Sequence, residues 1–287
     1  YAQGSGGVFS TTSGTSWGPK ISELPNDATY GGNTDNEYTQ KFGKQQGKYY
    51  VPQRAAAGLD PWATPQAYDN AKDFFDTGIT WSNSLNVAQM LDKSSYSISL
   101  GNTHQDGIIS STGMDRYNVK VSADTKLTNN WSSGFTANYI TTSIDKAVTS
   151  GNGLLRTVYA APPSYDLAGI PSHVDGNQYT QNSFRGSFDN AYWAMENNKF
   201  TEDTNRFFGN VYASYQTDFG TTNHKLNAKY MVGVDAYTTH YVDSYGYGSN
   251  TGGGRGQIEN YGWTNATYNS LLTINYDWRI NEDWGLN

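Results

Sequence analysis

Between Met114 and Ile144, hydrophobic and polar residues alternate with a period of two on both sides of a short polar break. Tyr117, Val119, Val121, Ala123, Thr125 and Leu127 alternate with Asn118, Lys120, Ser122, Asp124 and Lys126. After Thr128-Asn129-Asn130, Trp131, Phe135, Ala137 and Tyr139 are set against Ser132, Thr136 and Asn138. Period two puts the two sets on opposite faces of a strand, so the segment predicts a hairpin with one apolar and one polar face. Strands in soluble proteins usually run about 5–6 residues, and arms this long point to a membrane barrel.

The same pattern recurs along the chain. Predicted strands are Ile79–Leu91, Ser95–His104, Met114–Leu127, Trp131–Ile144, Thr204–Phe219, His224–Asp243 and Gln257–Ile280, with another opening at Trp284. Val211, Ala213, Tyr215, Thr217 and Phe219 form one alternating set; Leu226, Ala228, Tyr230, Val232, Val234 and Ala236 form a second; Tyr268, Leu272, Ile274, Tyr276, Trp278 and Ile280 form a third. These sets are predicted to face lipid, and Lys120, Asp124, Asn138, Lys229 and Asp235 to face inward. Short polar connections (Asp92–Ser94, Thr128–Asn130, Gly220–Asn223, Asn281–Asp283) alternate with long ones near 105–113, 145–203 and 244–256. Outer-membrane barrels separate periplasmic turns from extracellular loops in this way. Trp131, Phe219, Trp278 and Trp284 gather beside the short turns, where an interfacial girdle of aromatics is expected. The fold class expected is all-β: part of a large antiparallel transmembrane β-barrel, with long extracellular loops containing short helices.

Between and before the strands the pattern changes. Residues 1–78 read as a mostly irregular extracellular segment, and residues up to about Pro65 show no stable period. Three short helices are expected: Pro65–Asp76 closed by Gly78, Leu154–Ala160 ended by Pro162-Pro163, and Ser187–Asn197 with Ser187 as N-cap. Residues 79–144 make two hairpins, 145–203 one long extracellular loop, and 204–287 further barrel strands.

Composition narrows the class. Only 36% of residues are hydrophobic, yet 15% are aromatic, with 23 Tyr and 8 Trp. Disordered chains lack aromatics, and no stretch approaches the roughly 20 apolar residues of a spanning helix. In a barrel only alternate residues meet lipid, so the mean hydropathy of −0.70 is compatible with membrane insertion. The net charge of −7 comes from well-mixed charges and argues against a nucleic-acid partner, which calls for a basic stripe. The absence of cysteine excludes a disulfide scaffold. The chain opens at Tyr1 without Met and stops inside a strand-like run, which reads as an internal piece of a longer protein.

Several phrases resemble SusC/RagA-type TonB-dependent transporters. They are Tyr1 to Phe9, Ser13 to Ile21, Asp69 to Gly78 leading into Asn83–Val87, Tyr96–Leu100, Asp106–Ile109 and Asp115–Asn118. Together they span about the first half of the chain. The resemblance implies a plugged barrel of about 22 strands, a SusD-like surface lipoprotein as lid, and energy from the TonB complex. The plug and the TonB-contacting segment match no residues here.

Candidate chemistry is sparse. His104, His173, His224 and His240 lack ligand spacing for zinc. No cofactor is expected; Asp106-Gly107 and Asp175-Gly176-Asn177 touch on a calcium loop but lack its acidic ladder and read better as turns. The glycine runs 4–7 and 252–256 neither follow a buried strand nor open a helix, so they are not phosphate loops. Asp73/Asp76, Glu202/Asp203 and Glu282/Asp283 set no acid against a base, and no Gly-x-Ser-x-Gly elbow occurs. The better candidates are Tyr159, Tyr165, Tyr192, Trp193, Tyr245 and Tyr247, aromatic residues among polar neighbours in the long connections. Such rings stack on sugars or peptide side chains, or pack loops together. The expectation is a non-enzymatic segment of an energy-coupled outer-membrane importer of oligosaccharide or peptide. A soluble secreted glycan-binding module or glycoside hydrolase is the alternative, and it explains the strand lengths poorly.

Overall fold

The computed structural model describes residues 1–148, 153–220, 223–280 and 284–286. One eight-stranded sheet dominates. Its strands are β1 (Thr80–Met90), β2 (Ser94–Asp106), β3 (Gly113–Lys126), β4 (Trp131–Lys146), β5 (Lys199–Thr217), β6 (His224–Tyr245), β7 (Gln257–Arg279) and β8 (Gly285–Leu286). Each pairs antiparallel with the next along the chain, an up-and-down meander. The turn expected at Asn281–Asp283 lies outside the described residues, as does the middle of the Gly220–Asn223 turn.

Register turns the sequence pattern into two surfaces. Leu85, Leu100, Val119, Tyr139, Phe207, Ala236 and Ala266 stand directly opposite one another across β1 to β7. One residue along, the facing row is Asn86, Ser99, Lys120, Asn138, Phe208, Asp235 and Thr267. Because neighbouring strands share parity, every alternating apolar set falls on one face and the polar set on the other. On the polar face Gly134 makes room for its cross-strand neighbour: a Cβ there would lie 2.7 Å from the Tyr212 ring.

The apolar face has a defined height. From Tyr117 to Leu127 the belt covers about ten steps, about 33 Å at roughly 3.3 Å per residue. A strand tilt of about 40° reduces this to about 25 Å, the height of a lipid-facing band. Toward the short turns the belt ends in aromatics: Trp131 lies against Tyr215 at 5.0 Å and Trp278 against His224 at 5.7 Å. β5, β6 and β7 have 19, 22 and 23 residues, about twice the 9–11 that a crossing needs. Their surplus projects beyond the belt at the long-loop end. β5 starts at Lys199, five residues before the expected Thr204, because backbone pairing to Lys146 and Ser244 extends it where alternation is already lost.

At that end the non-wall segments fold into a lobe. Ala2, Phe9, Leu24, Tyr49 and Val51 share one core with Leu154, Val158, Tyr165, Leu167, Ile170 and Phe184. Gln3 donates to the Phe184 carbonyl at 2.9 Å, and Asn70 donates to the carbonyls of Pro162 and Tyr165 at 3.1 and 3.0 Å. Residues 1–65, expected to be irregular, are thus ordered by burial against a distant loop. They carry the helices α1 (Glu37–Phe42) and α2 (Pro52–Ala56), a 3-10 turn at Ile21–Asn26, and small strand pairs at Gly4–Ser5/Val8–Phe9 and Tyr49–Tyr50/Trp62–Ala63. α1 is started by Asn36, which accepts from the Tyr38 and Thr39 amides. α3 (Asn70–Phe74) is shorter than the expected Pro65–Asp76, because Asp69 caps it by accepting from the Lys72 amide. α4 covers Leu154–Ala160. α5 covers Ala191–Asn197 and is capped by Asn190 rather than Ser187, whose φ of +68° sits in a tight turn.

Candidate ligand cleft at the rim of the wall

Where the wall meets the lobe, the ends of β4 and β6, the start of β5 and the C-terminal half of α5 enclose a cleft of about 400 Å³. Lys146, Phe200 and Tyr245 line it from the strands, Met195 and Glu196 from α5, and Ile109 from the β2–β3 connection. Phe200 and Tyr245 meet edge to face at 5.0 Å. The lining mixes apolar and ionic groups, a composition suited to orienting a ligand.

Below the cleft the polar face changes character. Tyr241 stacks on Tyr261 at 5.0 Å with an interplanar angle of 9°, and Trp263 lies 5.1 Å away. The Lys146 Nζ sits 4.4 Å over the Tyr241 ring and 3.3 Å from Glu202 Oε2, so its charge is shared between a carboxylate and a π face. Tyr261 donates to Asp243 at 3.1 Å, which fixes the tilt of that ring. Arg206, farther down the same face, pairs with Asp235 through two hydrogen bonds of 2.8 and 2.5 Å. The result is an aromatic strip with ordered polar edges leading from the cleft onto the inner wall. Flat rings with fixed polar neighbours hold sugar rings or peptide side chains by stacking and orient them by hydrogen bonds.

The aromatic residues singled out in the sequence separate into distinct roles. Tyr245 lines the cleft. Tyr247, 60% exposed, meets Tyr179 at 5.6 Å on the lobe surface. Tyr159 is 70% exposed beside Phe75. Tyr192 is half-buried against Phe74, at 5.2 Å. Trp193 is 0% exposed and donates through Nε1 to the Gln178 carbonyl at 2.7 Å; Tyr165 is 3% exposed against Phe184. The rings of Trp193 and Tyr165 are therefore committed to the lobe interior and present no face to a ligand. Burial also pushes the Tyr165 phenol upward, with Asp166 adding to the shift.

Phe200, Tyr241, Tyr261 and Trp263 escaped the sequence reading because they lie in strands, where aromatics read as wall. The available signal was an inversion: past Asp235 and Thr267, aromatics occupy the parity that lower down holds polar residues. His104 pairs with Asp115 and Asp106, His173 with Glu196, His224 with Tyr276 and His240 with Asn260. Among the described residues no three His, Cys, Asp or Glu side chains gather as a metal site. Asp175 and Gly176 form a turn with positive φ.

No family model and no curated protein matches the chain. Among solved structures it is similar to the RagAB peptide importer in its "closed-closed" state, with a TM-score of 0.60 and 16% sequence identity. The fold is that of a β-barrel wall. The likeness covers 75% of this chain and 24% of the importer chain, so the chain spans about a quarter of that protein's length. Together with the meander and its apolar belt, this fixes the fold class as all-β, part of a large antiparallel transmembrane β-barrel. No helix among the described residues is long and apolar enough to cross a membrane.

Proposed function

We propose that the chain is a segment of an energy-coupled outer-membrane importer that takes up oligosaccharide or peptide without making or breaking a bond. The observation that carries the reading is the apolar belt of about 25 Å topped by an ordered lobe and an aromatic-lined cleft. A soluble module would leave that whole face in water, where soluble monomers rarely expose apolar patches of more than about a few hundred Å². The similarity to a peptide importer supports transport as the role. In this reading the lobe faces outside, a SusD-like lipoprotein covers it, and the TonB complex acts through segments beyond this stretch. Substrate enters at the cleft and passes along the Tyr241–Trp263 strip.

Topology is tested by single cysteines in the full-length protein on intact cells. A membrane-impermeant maleimide is expected to label Tyr179→Cys and to spare Asn129→Cys. The opposite pattern overturns the orientation. Transport is tested by growth on oligosaccharides or peptides as sole nutrient. Growth on one class is expected to disappear on deletion and to slow with Trp263→Ala; no effect of deletion on either class overturns the reading.

A further inference from the structure

Phe184-Arg185-Gly186-Ser187-Phe188 folds back on itself in the lobe. The positive φ of Ser187 reverses the chain and brings Phe188 under the Arg185 guanidinium, whose Cζ lies 3.6 Å from the ring centroid. Phe184 flanks the same guanidinium at 5.5 Å, and Arg156 from α4 approaches the Phe188 ring at 5.1 Å. Two cations thus share one aromatic platform.

Arg185 itself is poorly satisfied. Its hydrogen bonds are long: Nη2 donates to the Arg156 carbonyl at 3.3 Å and to Thr157 Oγ1 at 3.4 Å. Its Nε is buried without a hydrogen-bond partner among the described residues. No carboxylate forms an ion pair with it among the described residues, although the chain has 26 acidic residues. Asp189, the nearest acid in sequence, is occupied by Gln181, Ser249 and Asn250. Burial and the neighbouring Arg156 hold the Arg185 guanidinium below its usual range. Arg156 and Arg185 carry like charges on one ring, and an anion held by the Arg185 guanidinium offsets their mutual repulsion.

We propose that Arg185 and Arg156, braced on Phe188, form a binding site for an oxyanion group: a carboxylate, sulfate or phosphate carried by a small ligand or by cargo. Planar guanidinium edges match the paired oxygens of such groups, and the ring platform orients the edges. Arg156, Arg185 and Phe188 do not line the cleft, although Leu154 and Asp189 beside them in sequence do, and the site does not depend on the transport reading.

The test uses the full-length protein in detergent, with lobe unfolding followed by tryptophan fluorescence. Succinate, inorganic phosphate and inorganic sulfate are titrated against chloride at matched ionic strength. At least one is expected to raise the unfolding midpoint saturably, and the order among the three distinguishes carboxylate from tetrahedral oxyanions. Arg185→Gln and Arg156→Gln are each expected to weaken that anion at least tenfold, and Arg54→Gln to leave it unchanged. If Arg185→Gln does not fold, Arg156→Gln decides, since Arg156 is exposed. Equal responses to all three anions and chloride, or a response that survives in Arg156→Gln, overturn the proposal.

Discussion

Ser249 donates to Asp189 Oδ2 at 2.6 Å, joining the β6–β7 connection to the long β4–β5 loop. The other carboxylate oxygen accepts from the Asn250 amide at 2.7 Å, Asn250 Nδ2 at 2.9 Å and Gln181 Nε2 at 2.7 Å. A buried carboxylate with this many donors is a clamp, and it holds the glycine-rich segment 251–256 in place beside the cleft. Asp189→Asn puts an amide against those donors. It is expected to cost the lobe about 1–3 kcal/mol and to open residues 246–256 to protease. Unchanged cleavage in that segment would show that the clamp carries no weight.

Trp193 and Tyr159 make opposite demands, though both came from one class of loop aromatic. Trp193→Ala leaves a large cavity and an unpaired Gln178 carbonyl, with an expected loss of about 3–5 kcal/mol. Tyr159→Ala is expected to stay within about 0.5 kcal/mol. Lobe unfolding monitored by near-UV circular dichroism separates the two.

The lobe should fail at alkaline pH. Burial raises the phenols of Tyr49 and Tyr165 in the folded state, reinforced by Tyr68 at Tyr49 and by Asp166 at Tyr165. A raised folded value means the folded lobe holds these protons more tightly than the unfolded chain. Their contribution is complete below the ordinary phenol pKa of about 10 and declines as pH rises beyond it. Unfolding measured from pH 8 to 11.5 is expected to show that decline. Tyr165→Phe should reduce it and raise stability at neutral pH, because the Tyr165 hydroxyl has no hydrogen-bond partner among the described residues.

Neighbouring residues on β7 should respond to arginine to very different extents. Leu272 belongs to the apolar belt and Thr273 to the polar face. Leu272→Arg is expected to cost about 2–4 kcal/mol in the bilayer, and Thr273→Arg much less. Urea titration of the folded barrel in lipid vesicles measures both. Equal costs would remove the assignment of faces.

Wall strands were legible because their cause is local: alternation from Tyr117 to Leu127 or from Leu226 to Ala236 is enough to state strand, face and approximate ends. Past the belt the pattern is lost, because Phe200 stands on the face that is polar lower down and Lys199–Asp203 are held by pairing. No local pattern orders residues 1–65, where Gln3 and Tyr49 donate to the carbonyls of Phe184 and Ser164, more than a hundred residues away.

The sequence by itself therefore determined the wall: period-two chemistry dictates which side chains meet lipid, whatever closes the barrel. Only the tertiary structure decided the lobe and the cleft. It buried Trp193 and Tyr165, left Tyr159 exposed, and aligned Tyr241, Tyr261 and Trp263 through the register of β6 with β7. Loop aromatics have no periodicity to reveal their orientation, so their roles are set by which distant residues pack against them.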